Sequence, residues 1–186
     1  MSTHQTPPPV IMHGALQELV DALHQQAEGQ FPPAAVTKLL QELALPPAAL
    51  ERYTFFAPRC YTRNCIYKTS QFELLLLCWQ PGQASAVHGH EGQLCWMRVV
   101  AGALTFINYT DHSNGQLLET SRAAGGAGFV DGPAYIHAVQ NQTNQPALSL
   151  HLYARPFQEC TVYEVDQNLS RRQALTYHSM YGKRCS

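Results

Sequence analysis

The sequence predicts a mainly β protein, a barrel of short strands capped by N-terminal helices. Three observations carry this expectation. From about residue 58 onward, β-rich runs alternate with Gly, Pro, Asn and Asp, and strands so short and numerous belong to barrels or sandwiches. Before that point the apolar residues fall at helical spacing instead. Hydrophobic residues make up 45% and charged residues 13%, the balance of a chain with a core and not of a disordered one. A length of 186 residues suits a single domain over 1–186. Its tail and helices are expected over about 1–57 and its barrel over about 58–186.

The first half-dozen residues are expected to be disordered. Leu16, Leu19, Val20 and Leu23 then follow the i, i+3, i+4, i+7 stripe of an amphipathic helix. Pro32-Pro33 opens a second helix that carries Val36, Leu39, Leu40 and Leu43 on one face. Proline suits a first turn, where its missing N–H has no helical partner. A third, short helix is expected over 47–53. Strands are expected over 61–68, 72–80, 94–100, 103–109, 128–131, 136–140, 148–154 and 161–164.

Composition narrows the function. The formal net charge is -1 and no long basic run occurs, so a nucleic-acid partner is not expected. The start, Met-Ser-Thr-His-Gln-Thr-Pro-Pro-Pro, lacks the charged segment and apolar core of a secretory signal. The longest apolar run, 74–79, is too short to span a bilayer. A soluble, cytoplasmic protein without a membrane partner is the expectation. The six cysteines include no Cys-x-x-Cys pair. They read as reduced, small apolar residues.

Among nine histidines, His4, His13 and His24 fall in the tail or first helix, and His112 in the turn Asp-His-Ser-Asn-Gly. All four read as solvent-exposed. His88-Gly89-His90 differs, because residues two apart on an extended segment point to the same side. Alone the pair is weak evidence; its frame strengthens it. Gly82, His88-x-His90 and Gly102 stand at the spacings of the first motif of the cupin barrels, a jelly-roll-like fold. Gly126, His137 and Asn141 stand at those of the second, with its proline displaced to Pro133. Where cupins usually carry a ligating glutamate, this chain has Leu94-Cys95, and Glu91 alternates to the side opposite His90. A neutral face of His88, His90 and His137 is therefore expected. Iron(II) on such a face keeps positions open for substrate and oxygen. Without a carboxylate ligand its larger positive charge favours an incoming thiolate. Zinc also suits three histidines with an open position.

Beyond these motifs, the chain resembles the cysteine dioxygenases, the thiol-dioxygenase branch of the cupins. The likeness runs from about Tyr61 to Gly182. It rests on Tyr-Thr-Arg-Asn at 61–64, Leu-Cys-Trp at 77–79, Val-His-Gly-His at 87–90, Ile-His-Ala-Val at 136–139, Ser-Leu-His-Leu-Tyr at 149–153, Pro-Phe-Gln-Glu-Cys at 156–160 and His-Ser-Met-Tyr-Gly at 178–182. The resemblance implies that His88, His90 and His137 hold one iron(II) per chain. It implies that Arg63, assisted by Tyr61, binds the substrate carboxylate. Independently, Arg63 shares a strand face with Tyr61 and Cys65, and a buried guanidinium fits a carboxylate bidentately. Ser149, His151 and Tyr153 alternate with Leu148, Leu150 and Leu152, so one face of that strand is polar and lines the interior. In the family the polar set is a relay that orients the tyrosine hydroxyl. The resemblance also places Cys95 where many relatives form a thioether with the tyrosine matching Tyr153, and a Cys95–Tyr153 cross-link is expected. Gly89 departs from the commoner aspartate and adds no acceptor beside the ligands. Trp79, Met180 and Cys160 match positions near the family's site; Trp79 reads as plain core.

The expected reaction joins both atoms of dioxygen to the thiol of L-cysteine, giving cysteine sulfinate, with the chain acting as a monomer. The nearest alternative is a dioxygenase for 3-mercaptopropionate or another small thiol. Such relatives usually have Gln in place of the arginine, so Arg63 argues for cysteine. A non-catalytic cupin that senses a thiol or a metal is a second alternative. A zinc hydrolase or isomerase is a third, disfavoured because no carboxylate base stands beside the ligands.

Overall fold

The computed structural model describes residues 14–111 and 116–185. The expected disorder of the first half-dozen residues, and the exposure of His4, His13 and His112, lie outside them. Two α-helices form where the apolar stripes place them: α1 (Ala15–Glu28) and α2 (Pro33–Glu42). Leu16, Leu19, Val20, Leu23, Val36 and Leu40 are their buried faces. The third segment, Pro47–Tyr53, is a 3-10 helix. No helix among the described residues is long and apolar enough to cross a membrane. One expectation needs correction. His24 is half-buried and not free in solvent. Its Nε2 lies 2.9 Å from the Tyr67 hydroxyl, and its ring meets Tyr67 and Phe72 edge-on. The helix packs so closely on the sheet that the residue bordering its apolar stripe is covered as well.

The strands follow in order: β1 (Thr62–Lys68), β2 (Glu73–Trp79), β3 (Val87–Gly89), β4 (Leu94–Ala101), β5 (Ala103–Asp111), β6 (Leu117–Gly126), β7 (Val130–Ala134), β8 (Ile136–Gln140), β9 (Ala147–Ala154), β10 (Glu159–Glu164), β11 (Leu169–Ala174), β12 (Ser179–Met180) and β13 (Lys183–Arg184). All the expected strands occur with small shifts of boundary. β6, β11, β12 and β13 were not expected, and β3 was read only as an extended segment. They make two sheets, one in the order β13-β12-β1-β2-β9-β4-β7 and the other β11-β10-β3-β8-β5-β6. The mainly β, jelly-roll-like barrel with a helical N-terminal part is thus the observed architecture. Gly102 makes the turn from β4 to β5 at φ +71°, and a Cβ there would stand 2.6 Å from the Pro146 carbonyl oxygen. Only glycine fits that close approach.

In the middle of the seven-stranded sheet, β2 and β9 are buried on both faces. Leu74, Leu76, Leu150 and Leu152 pack with α1 and α2. Leu75, Leu77, Cys95, Met97 and Tyr153 point the other way, into the barrel. A bulge interrupts β1 between Cys65 and Tyr67. The added residue reverses the alternation beyond it. Tyr67 therefore joins the helix face, and Lys68 comes into register with Glu73. Strict period-two reading puts these two residues on the wrong sides.

Candidate metal centre

Backbone pairing builds the centre. β3 and β8 run antiparallel with His88 directly opposite His137, and His90 stands two residues further along the same side. The three rings surround one point, with centroids 5.1 Å (His88–His90), 4.7 Å (His88–His137) and 4.7 Å (His90–His137) apart. One ligand nitrogen from each lies within 4.8 Å of the others. His88 Nδ1 lies 2.9 Å from the Ala86 carbonyl, and His90 Nδ1 lies 3.1 Å and 3.2 Å from those of Ala134 and Tyr135. A carbonyl only accepts, so each Nδ1 carries the proton and each Nε2 keeps its lone pair. His90 Nε2 and His137 Nδ1 are buried without a hydrogen-bond partner. Burial pushes His88 down to about 4, helped by Arg63 and opposed by the Ala86 carbonyl. Burial and then His88 push His90 down to about 3, and burial holds His137 low as well. The rings are thus neutral, as metal ligation requires. Converging lone pairs with no protein partner fit a divalent metal. Glu91 takes no part: at φ 53° it turns outward and accepts from Thr161 and Arg172.

Ser149, His151 and Tyr153 are all buried on the barrel face of β9. Trp79 Nε1 donates to Ser149 Oγ at 2.9 Å. Ser149 Oγ lies 2.8 Å from His151 Nε2, and His151 Nδ1 lies 3.5 Å from the Tyr153 hydroxyl. An indole N–H can only donate. Ser149 Oγ therefore accepts from Trp79 and links it to His151, which in turn reaches Tyr153. Burial, then the nearby Arg63 and metal-site histidines, hold His151 well below the usual range and keep it neutral. Trp79, read from sequence as plain core, thus anchors one end of this hydrogen-bonded chain. Tyr61 stacks on its ring at 4.3 Å.

Arg63 is nearly buried, with Cζ 5.7 Å from the centre of the Tyr153 ring. Its Nε and Nη2 have no hydrogen-bond partner. Burial lowers its pKa, but Tyr153, Tyr61 and Glu73 outweigh that and hold the guanidinium charged. Tyr61 and Arg63 line a cleft of about 330 Å³ with Leu175, Tyr177 and His178. Cys95 lies directly across the ladder from Tyr153. Burial raises both groups above their ordinary pKa values. Cys160 is buried, and Met180 stands opposite Cys65 on β12.

Four residues were missed by sequence reasoning. Phe157 packs edge-on against His90 at 6.0 Å and Tyr153 at 5.0 Å. Glu73, wholly buried, stands opposite Tyr153 and accepts from the Tyr177 hydroxyl. Lys68 donates to that same hydroxyl at 2.7 Å. The available signal was a lone carboxylate heading the apolar run 74–79.

The family model described as Cysteine dioxygenase type I matches residues 7–166. Three curated relatives are named cysteine dioxygenase type 1. The rat protein is 27% identical, with 91% of this chain and 88% of the relative covered. The human protein is 26% identical, with 94% and 92% covered. The zebrafish (Danio rerio) protein is 28% identical, with 91% and 89% covered. Among solved structures, the chain is similar to TT1209 from Thermus thermophilus, at 22% identity and TM-score 0.49 over 57% of this chain and 93% of that one.

Proposed function

Since the chain belongs to the cysteine dioxygenase type I family, we propose that it converts L-cysteine and dioxygen to cysteine sulfinate at an iron(II) held by His88, His90 and His137. One observation carries the reading. A three-histidine face without a carboxylate ligand stands in a barrel beside Arg63, whose Nε and Nη2 are buried and unpartnered. Iron(II) on that face supplies the redox centre at which dioxygen meets the thiol.

The chain's own residues do the rest. Arg63 offers its free N–H groups to the substrate carboxylate, which fixes the thiol's position and selects small amino-acid thiols. Tyr61, held against Trp79, borders the same cleft. His151, held by Ser149 and Trp79, positions the Tyr153 hydroxyl beside the reacting oxygen or the substrate carboxylate. Phe157 packs edge-on against His90 and Tyr153 and helps hold both rings in place. In the balanced reaction the S–H of the thiol gives way to a sulfinic group holding both oxygen atoms. The electrons that dioxygen takes up come from sulfur, so no external reductant is needed.

The register of Cys95 opposite Tyr153 supports a slower self-modification. A C–S bond forms between Cys95 Sγ and the Tyr153 ring, each partner loses one hydrogen, and dioxygen takes the electrons. Intact-mass analysis of iron-loaded, cysteine-treated protein should show a species lighter by those hydrogens. The absence of such a species overturns the cross-link alone.

Anaerobic loading with iron(II), oxygen-electrode assay with cysteine and product identification test the main reading. Stoichiometric sulfinate is the expected result. A clear preference for 3-mercaptopropionate overturns the substrate, and cysteine binding without oxygen uptake overturns the catalytic role.

A further inference from the structure

We propose that Lys68 and Tyr177 hold the buried carboxylate of Glu73 off Arg63, and so keep the Arg63 guanidinium available for a substrate bearing a single carboxylate. The inference rests on the carboxylate-binding role of Arg63 given above and adds what makes that role possible.

Glu73 has no exposed surface. Its two oxygens are treated differently. Oε2 accepts from the Tyr177 hydroxyl and has Lys68 Nζ at 3.9 Å. Oε1 has no hydrogen-bond partner and stops 3.9 Å from Arg63 Nη2, which has none either. That separation is within ion-pair reach but beyond hydrogen-bond length. An unmade charge-assisted hydrogen bond between buried partners is costly, so both groups gain by closing the gap. The anchor on Oε2 opposes them. Lys68 Nζ donates to Tyr177 at 2.7 Å and lies 5.0 Å from that ring's centre, which fixes the hydroxyl at Oε2.

Charge makes the same point. Arg63 and Lys68 bring two cations to one carboxylate, leaving one positive charge that a monocarboxylate neutralises. Without Lys68 the remaining pair is neutral by itself. Glu73 then turns its second oxygen onto Arg63 and occupies the N–H groups the substrate needs. The bulge in β1 is what places Lys68 on this face. Tyr177 arrives from the segment after β11, which lies over β1 where the His178 amide donates to the Arg63 carbonyl at 2.8 Å.

The test combines kinetics with a structure. Oxygen uptake is measured on the iron-loaded Lys68→Met and Tyr177→Phe variants, with cysteamine, which has no carboxylate, as a competitive inhibitor. Lys68→Met should raise the KM for cysteine roughly tenfold, the scale of one charge-assisted hydrogen bond. Tyr177→Phe should raise it less, and the inhibition constant of cysteamine should stay unchanged for both. Adding Glu73→Gln to Lys68→Met should return the KM to that of Glu73→Gln alone. A crystal structure of metal-free Lys68→Met should show Arg63 and Glu73 in direct hydrogen-bond contact. An unchanged KM, an equal effect on cysteamine, or a gap still open in that structure overturns the inference. Arg63→Ala separates the two layers. If it too leaves the KM for cysteine unchanged, the carboxylate role of Arg63 falls; if it raises the KM while Lys68→Met does not, only the present inference falls.

Discussion

β9 presents two sets of side chains, one residue out of step, to two different environments. Leu148, Leu150 and Leu152 meet the helices, while Ser149, His151 and Tyr153 meet the barrel interior. Both faces are dry. On the leucine face a contact is nondirectional, and its worth scales with the area removed from water. On the polar face the contacts are directional hydrogen bonds, running from Trp79 through Ser149 and His151 to Tyr153. Burial alone does not tell a structural face from a chemical one. What separates them is what the buried groups adjoin: the leucines meet other apolar side chains, whereas Tyr153 borders His90 and Arg63, whose buried nitrogens have no partner.

That contrast can be broken or sharpened by substitution. The largest effect is expected from His137→Ala, which removes one of three ligand nitrogens. Metal content and oxygen uptake should fall to background, while the circular-dichroism spectrum stays that of the unaltered chain. Next comes Leu152→Ala on the opposite face. It should cost about 2–5 kcal/mol in denaturant unfolding yet leave the KM for cysteine unchanged; a large change in KM would dissolve the distinction between the faces. Arg63→Gln should raise the KM for cysteine by roughly ten- to a hundredfold, from loss of a charged hydrogen-bond donor, with a smaller change in thermal midpoint. The pH dependence of the metal-free chain should show the cost of the polar face. His88 and His90 fall from their ordinary value to about 4 and about 3 in the fold. The unfolded chain therefore binds protons that the native one refuses. The stability at stake is fully present above about pH 6.5 and lost progressively as pH falls to about 4 and then about 3. A melting temperature that rises over that interval on acidification contradicts the assignment. Smallest is Trp79→Phe, which deletes one hydrogen bond and should cost about 1 kcal/mol of stability, with a lower kcat at unchanged KM for cysteine.

Most of this was legible in the sequence wherever one physical signal dominated. The leucine alternation of β9 and the helical stripes are periodicities of burial, and they gave element type and facing together. His88, His90 and His137 were legible because motif spacing carried them. β6 and β11 were not, because nearly all their side chains face solvent, and period two is visible only when one side is buried. Lys68 was illegible for another reason. A single inserted residue reversed the alternation of β1, and no local feature of Cys65-Ile66-Tyr67 announces it. Glu73 carried a signal, a charge heading a strand with every residue buried, but its partners Lys68 and Tyr177 come from opposite ends of the barrel sequence.

The pairing of His88 with His137 has a consequence for how a metal would enter the three-histidine site. His88 and His90 are neighbours from the moment they are synthesised. His137 joins them only when β8 zips onto β3, with β4 to β7 already emerged between. A nascent or partly folded chain therefore offers a passing cation two nitrogens, a weak and exchangeable grip. The third nitrogen is in place only once β8 has paired with β3, so retention of an ion reports that this pair has formed.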